Sequence, residues 1–156
     1  MPEPIRVGLG FDVHPAAADR ELWLGGLRFD GVGLAGHSDG DPVCHALADA
    51  MLGAAGLGDV GEHFPEGDPG VAGISGTDLL ARTCELVAEA GRRPASCDLT
   101  VICMAPPIAP RRAEMRAHLA EVLGLEVDRI SVKATRPEGL GLVGDGAGCL
   151  AVAVLT

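Results

Sequence analysis

The chain has no tyrosine, one tryptophan and three phenylalanines, so aromatic side chains make up only 3% of its 156 residues. Stacking platforms for single-stranded nucleic acid have almost nothing to be built from. Positive charge is scarce as well. Twelve Lys and Arg stand against 22 Asp and Glu, a formal net charge of −10, and the basic footprint of a nucleic-acid binder is missing. The longest uncharged run, Leu99 to Pro110, is too short to span a bilayer and contains Pro106, Pro107 and Pro110, so no membrane-spanning helix is expected. Met1 to Ile5 holds two prolines and an acid and lacks the basic and apolar regions of a secretory leader, which predicts a cytoplasmic protein. The cysteines, Cys44, Cys84, Cys97, Cys103 and Cys149, are odd in number and show no CxxC spacing. They read as small core residues rather than as zinc or redox thiols. What the chain does have is apolar content, 47% of its residues, enough to bury the core of one folded domain.

Local periodicity divides the chain into elements. Ile5, Val7, Leu9 and Phe11 alternate with Arg6, Gly8 and Gly10, the two-residue period of a half-buried strand that delivers Asp12 and His14 at its end. Leu22–Leu24 and Leu27–Phe29 flank Gly25-Gly26 as a hairpin would, and this pair is expected to extend the sheet. Asp41 caps a helix in which Pro42 fits the first turn, Val43, Leu47 and Met51 form a stripe, and Gly56 and Gly58 close it. The stretch from Asp59 to Gly76 has no sustained period and reads as a long loop. Ser75-x-x-Asp78 opens a second helix toward Gly91, Asp98 to Ala105 forms a buried strand, and a third helix runs from near Pro110 to Gly124. Two strands, Ile130 to Thr135 and Cys149 to Leu155, end the chain. This order predicts an α+β domain with helices covering one face of a mixed sheet.

Two groups of residues have the makings of chemistry. Asp12-Val13-His14 puts two ligand-type side chains on the same side of an extended chain. His37-Ser38-Asp39-Gly40-Asp41 is followed closely by His45 in the first turns of a helix. One Asp and two His with a fourth position open is the ligand set of a catalytic zinc, whereas structural zinc sites are closed. Asp49, four residues after His45, either accepts the outward ring N–H of that histidine or is a solvated helix acid. His63 and His118 read as surface residues. Asp59-Val60-Gly61 and Phe64 to Asp68 are turn chemistry or substrate contact, and spacing does not choose between them.

Taken together, Gly10-Phe11-Asp12-Val13-His14, His37 to Asp41, His45 to Ala50, Gly58 to Gly61, Phe64-Pro65 and Lys133-Ala134-Thr135 resemble the 2-C-methyl-D-erythritol 2,4-cyclodiphosphate synthases, in order along nearly the whole chain. The resemblance implies a homotrimer with sites between subunits and a cytidine diphosphate ester as substrate. A 2-phosphate on that ester attacks the β-phosphorus, and CMP leaves. By matching position, Asp12, His14 and His45 would bind Zn2+. Glu138 would hold a second divalent ion, Mg2+ or Mn2+. His37 and Ser38 would hold the 2-phosphate and, with Thr135 and Glu138, count as catalytic. Asp59, Val60, Gly61, Phe64, Pro65 and Asp68 would line the substrate near the erythritol unit, and Asp12 and His14 would contact the substrate as well. Cys103, Met104, Ala105, Pro106, Pro107, Ile108 and Ala109 would cradle cytosine, with Thr135, Arg136 and Leu142 as further substrate contacts.

Some positions depart from the family pattern. Thr135-Arg136-Pro137-Glu138 stands where a run of threonines is common, and an arginine there offers phosphate a different contact. Pro107 replaces a lysine in the cytosine loop, where Arg111 and Arg112 are available to compensate. Leu142 and Asp145 stand where some members line the trimer axis with an aromatic residue and an arginine, so no axial isoprenoid diphosphate is expected. The residues alone admit two other readings: a zinc-dependent phosphohydrolase with an activated water, and a non-catalytic ligand-binding trimer.

Overall fold

The computed structural model describes residues 4–156, so the reading of Met1, Pro2 and Glu3 as part of a leaderless terminus lies outside the described residues. Its strands are β1 (Arg6–His14), β2 (Ala16–Ala17), β3 (Leu22–Leu24), β4 (Leu27–Phe29), β5 (Gly33–Leu34), β6 (Pro94–Cys103), β7 (Ile130–Thr135) and β8 (Ala147–Leu155). Its α-helices are α1 (Pro42–Ala55), α2 (Val60–His63), α3 (Gly76–Glu89) and α4 (Arg112–Leu123). The main sheet runs β1-β8-β6-β7, antiparallel except between β6 and β7. Helix α1 lies on β1 and β8, α3 packs on α1, and α4 packs on β7, giving the expected α+β architecture with a mixed sheet.

The helix ends follow from local chemistry. Asp41 Oδ1 accepts from the Val43 and Cys44 amides, Ser75 Oγ accepts from the Asp78 amide, and Gly56 and Gly124 close α1 and α4 in the left-handed conformation. Helix α1 is buried around most of its circumference because it has the sheet on one side and α3 on the other. Cys44, Cys97, Cys103 and Cys149 are buried free thiols, as small core residues would be.

Strand β1 faces the opposite way from the half-buried pattern that its alternation suggests. Val7, Leu9, Phe11 and Val13 are exposed by 41–67%, while Gly8 and Gly10 face the core. The reason is the close approach of α1. A Cβ at Gly10 would stand 1.8 Å from the Ala46 carbonyl oxygen, and one at Gly8 would stand 1.9 Å from that of Ala50. Only glycine allows a helix to lie this near the strand. The inward side of β8 (Ala147, Cys149, Ala151, Ala153, Leu155) is mostly small for the same reason.

Other boundaries also shift. The β3–β4 hairpin pairs only with itself and does not extend the main sheet. Its turn is held elsewhere: the Gly25 and Gly26 amides donate to the Asp41 carboxylate at 2.9 and 2.6 Å, which binds the hairpin to the start of α1. The stretch from Asp59 to Gly76 is interrupted by α2, which Asp59 caps through the Glu62 amide. Strand β6 runs from Pro94 to Cys103 rather than from Asp98 to Ala105, and β8 starts at Ala147, two residues early, because pairing with β1 and β6 extends the ladder past the apolar run.

Candidate metal centre and neighbouring cavities

Asp12 and His14 leave the end of β1 on one side, and His45 sits one turn into α1, beside them because α1 lies directly on β1. One donor atom from each residue lies within 4.8 Å of the others. His14 Nε2 is 2.7 Å from Asp12 Oδ2 and 3.2 Å from His45 Nδ1, and His45 Nδ1 is 3.4 Å from the same carboxylate oxygen. The far sides of the rings are engaged. His14 Nδ1 donates to the Ala35 carbonyl at 2.6 Å, which leaves Nε2 as a lone pair. His45 Nε2 meets Ser38 Oγ at 3.0 Å, turning Nδ1 inward.

The three inward atoms converge on one point, and Asp12 Oδ2 is buried with only the two imidazole nitrogens facing it. Such a constellation fits a cation. A carboxylate oxygen with two imidazole nitrogens is a donor set suited to zinc, with room for an exogenous ligand. The electrostatics agree. Burial pushes the Asp12 carboxyl up, but the two imidazoles outweigh it and hold it below the usual carboxylate range. Burial pulls the His14 ring down, and the Asp12 carboxylate with the Ala35 carbonyl more than reverses this, so it ends above the ordinary histidine value.

The His14 and His45 rings open onto a cavity of about 660 Å³ whose walls include His37, Ser38, Gly61, Phe64, Pro65 and Asp68. Asp12, His45, Asp59 and Val60 border a smaller recess of about 310 Å³, and His45, Val60 and Gly61 form the wall between the two. The residues matched to Zn2+, the 2-phosphate and the erythritol unit are thus brought together. At the mouth, the exposed His37 Nε2 and Glu66 Oε2 lie 3.0 Å apart. Asp39 joins this wall to α3, its Oδ2 accepting from the Gly76 amide at 2.7 Å. Burial and then the neighbouring Asp41 charge raise its carboxyl, with the Gly76 and Asp41 amides partly offsetting them.

A separate cavity of about 380 Å³ is formed by Cys103, Met104, Pro106 to Ala109, Arg112 and Ala134 to Arg136. It holds the matched cytosine loop together with Thr135 and Arg136, while Ala105 faces another recess. Within one chain this groove shares no wall residue with the metal-side cavity. Glu138 lies beyond β7, exposed and outside the three-residue ligand group, with a left-handed φ of 52°. A non-glycine residue in that region costs about 1–3 kcal/mol, and such residues gather at functional sites. Leu142 is also exposed and stands apart from both cavities.

Neither reading of Asp49 holds. Its Oδ1 accepts from the Val60 amide at 3.0 Å, so it positions the start of α2 and the wall that follows. His63 and His118 are half-buried structural residues, bonded to the Leu57 carbonyl and the Thr77 hydroxyl, rather than surface histidines. One residue of this region has no signal in the sequence: Arg20, on an irregular stretch, donates to the carbonyls of Gly36 and Ser38. No spacing rule links positions 16 and 18 residues apart across a loop.

Relatives carry the same architecture. A protein called bifunctional enzyme IspD/IspF in Anaeromyxobacter sp. is 51% identical over 151 residues, covering 97% of this chain and 39% of that protein. A 2-C-methyl-D-erythritol 2,4-cyclodiphosphate synthase of Symbiobacterium thermophilum is 50% identical over 149 residues, 95% of each chain. The chain spans about two fifths of the length of the bifunctional relatives that it matches. Among solved structures, the bifunctional IspDF from Campylobacter jejuni superposes with a TM-score of 0.91 at 38% identity, over 97% of this chain and 42% of that one. A 2C-methyl-D-erythritol-2,4-cyclodiphosphate synthase in its CDP-bound form superposes at 0.90 with 35% identity, over 97% of this chain and all of that one. The YgbB family model matches residues 5–156, the span that contains every element and both cavities described above, and the chain belongs to the YgbB family.

Proposed function

We propose that this chain is a single cyclodiphosphate synthase domain that converts 4-diphosphocytidyl-2-C-methyl-D-erythritol 2-phosphate to 2-C-methyl-D-erythritol 2,4-cyclodiphosphate with release of CMP, a step of non-mevalonate isoprenoid synthesis. The observation that carries this reading is the Asp12, His14 and His45 donor set opening onto a cavity that also holds His37 and Ser38. The names of the relatives support the same activity, and one solved relative binds CDP.

The reaction forms a bond from an oxygen of the 2-phosphate to the β-phosphorus and breaks the bond between that phosphorus and the bridging oxygen, whose electron pair leaves with CMP. A phosphate is ionised at neutral pH, so the nucleophile needs placement and charge cancellation more than a base. His37 and Ser38 hold the 2-phosphate from the loop before α1. Asp12, His14 and His45 would hold Zn2+, and Glu138 would hold Mg2+ or Mn2+. Bound there, these ions supply Lewis-acid polarisation and cancel phosphate charge. That local charge is what reconciles a chain of net charge −10 with a polyanionic substrate. Backbone groups of Cys103 to Ala109 hold cytosine, and Thr135 and Arg136 hold the phosphates beside it.

The two cavities of one chain are separate, and the working site combines the metal side of one subunit with the cytosine groove of the next in a homotrimer. The exposed apolar row of Val7, Leu9, Phe11 and Val13, with Leu150 beside it, supports such an assembly. Among the described residues no helix is long and apolar enough to cross a membrane. A cytoplasmic setting suits the substrate.

Phosphorus NMR of the protein loaded with zinc and magnesium and given the cytidine substrate tests the function. CMP and a cyclic diphosphate in equal amounts are expected. An open-chain diphosphate would replace this reading with a hydrolase, and an unchanged spectrum from folded, metal-loaded trimer would replace it with a binding protein.

A further inference from the structure

The cavity around His37 and Ser38 is short of positive charge. Its walls contain no lysine or arginine, and they contain two acids, Glu66 and Asp68. One cation nevertheless reaches the segment from outside the cavity. Arg20 donates through one terminal nitrogen to the Gly36 carbonyl at 2.6 Å and through the other to the Ser38 carbonyl. A guanidinium offers this two-pronged contact in a fixed plane, which an ammonium does not.

The contact decides which groups the segment presents. A carbonyl turned toward an anion repels it, and Arg20 occupies two of them, on either side of His37. Each peptide is planar and trans, so the His37 N–H lies antiparallel to the Gly36 carbonyl and points away from Arg20. The Asp39 N–H, antiparallel to the Ser38 carbonyl, donates to the Ile74 carbonyl at 3.2 Å, and the His37 carbonyl accepts from the Gly73 amide at 3.1 Å. The backbone of residues 36–39 is thereby fixed from both sides, and the His37 and Ser38 side chains stand on the cavity wall, the His37 ring beside Glu66 and the Ser38 hydroxyl between His45 Nε2 and the Gly40 amide.

We propose that Arg20 is a positioning residue for phosphate: by holding the Gly36 and Ser38 carbonyls it turns the His37–Ser38 segment into an anion site, and its charge stands behind that site. This rests on the reading that His37 and Ser38 hold a substrate phosphate. Preorganised donors near a developing or fixed negative charge are among the strongest contributions a site makes.

The test is titration of the zinc-loaded full chain with inorganic phosphate, followed through the ring resonances of His37, in wild type, Arg20→Ala and Arg20→Lys. Zinc content and circular dichroism are measured alongside. Arg20→Ala should keep its zinc and fold, show shifted His37 ring resonances before any phosphate is added, and bind phosphate about tenfold more weakly. Arg20→Lys should fall between the two. Unchanged phosphate affinity in folded, zinc-loaded Arg20→Ala overturns the inference. Should Arg20→Ala not fold, wild-type affinity in Arg20→Lys overturns it, because one ammonium does not reproduce the two-carbonyl hold. A wild type that binds phosphate at His37 but makes no cyclic diphosphate would strike the proposed reaction alone, and the affinity series would still decide Arg20.

Discussion

Asp12 and His14 make the metal-free centre sensitive to pH in a definite sense. The His14 ring is held above its ordinary value of 6.5, so its contribution to stability is complete below 6.5 and is lost as pH rises through the folded value. The Asp12 carboxyl is held below 3.8, so its contribution is present above that value and is lost as pH falls through the folded one. A bound divalent ion reverses the trend above 6.5, because it competes with the proton on His14. The rise in melting temperature on adding zinc should therefore increase between pH 6 and 8.5, and calorimetry at several pH values reads it. A pH-independent increment would mean that zinc is held elsewhere. At Glu138, replacement by Gln keeps the shape and removes the charge. Glu138→Gln should lower kcat/KM at least about a hundredfold, with zinc content and assembly intact, in a steady-state assay of CMP release. Full activity would remove Glu138 from the second-metal site.

At the scale of elements, the centre depends on how near α1 lies to β1. His45 meets Asp12 and His14 only because Gly8 and Gly10 admit the helix backbone. Gly10→Ala puts a methyl group where the Ala46 carbonyl oxygen is, and the helix must move. A loss of about 3 kcal/mol is expected from such overpacking, together with weaker zinc binding as the ligands separate. Urea unfolding and zinc titration of the same variant measure both, and unchanged zinc affinity would show that α1 does not set the ligand spacing. The hairpin β3–β4 acts on the same region. Its turn amides share the Asp41 carboxylate with the first amides of α1, so hairpin and helix start are held by one buried acid.

For the whole molecule, the apolar row on β1 is where the proposed homotrimer would connect assembly to activity. Val7 and Leu9 are 65% and 67% exposed, and burying side chains of this size contributes about 1.5–3 kcal/mol each. Leu9→Asp should leave the single chain folded, since Leu9 has little core contact to lose, and should convert the proposed trimer to monomer in light scattering. Activity should fall with assembly, because the metal-side cavity and the cytosine groove would no longer be brought together. A monomer that retains wild-type turnover would show that one chain completes its own site.

Much of this molecule was legible in one dimension. The caps at Asp41 and Ser75, the closing glycines at 56 and 124 and the bounds of β7 are set by chemistry within four or five residues, which a sequence displays directly. The ligand types were legible too, since Asp12-x-His14 and His45 sit in motifs dense enough to identify the family. The facing of β1 was not. Alternation marks two sides of a strand but not which is inside, and only the close approach of α1 selected the glycine side. Nor did spacing disclose that Asp49 holds α2, that Arg20 holds the segment around His37, or that most of the matched residues are divided between separate cavities within one chain. Those facts depend on contacts between residues far apart in the chain, and packing in three dimensions alone decides them.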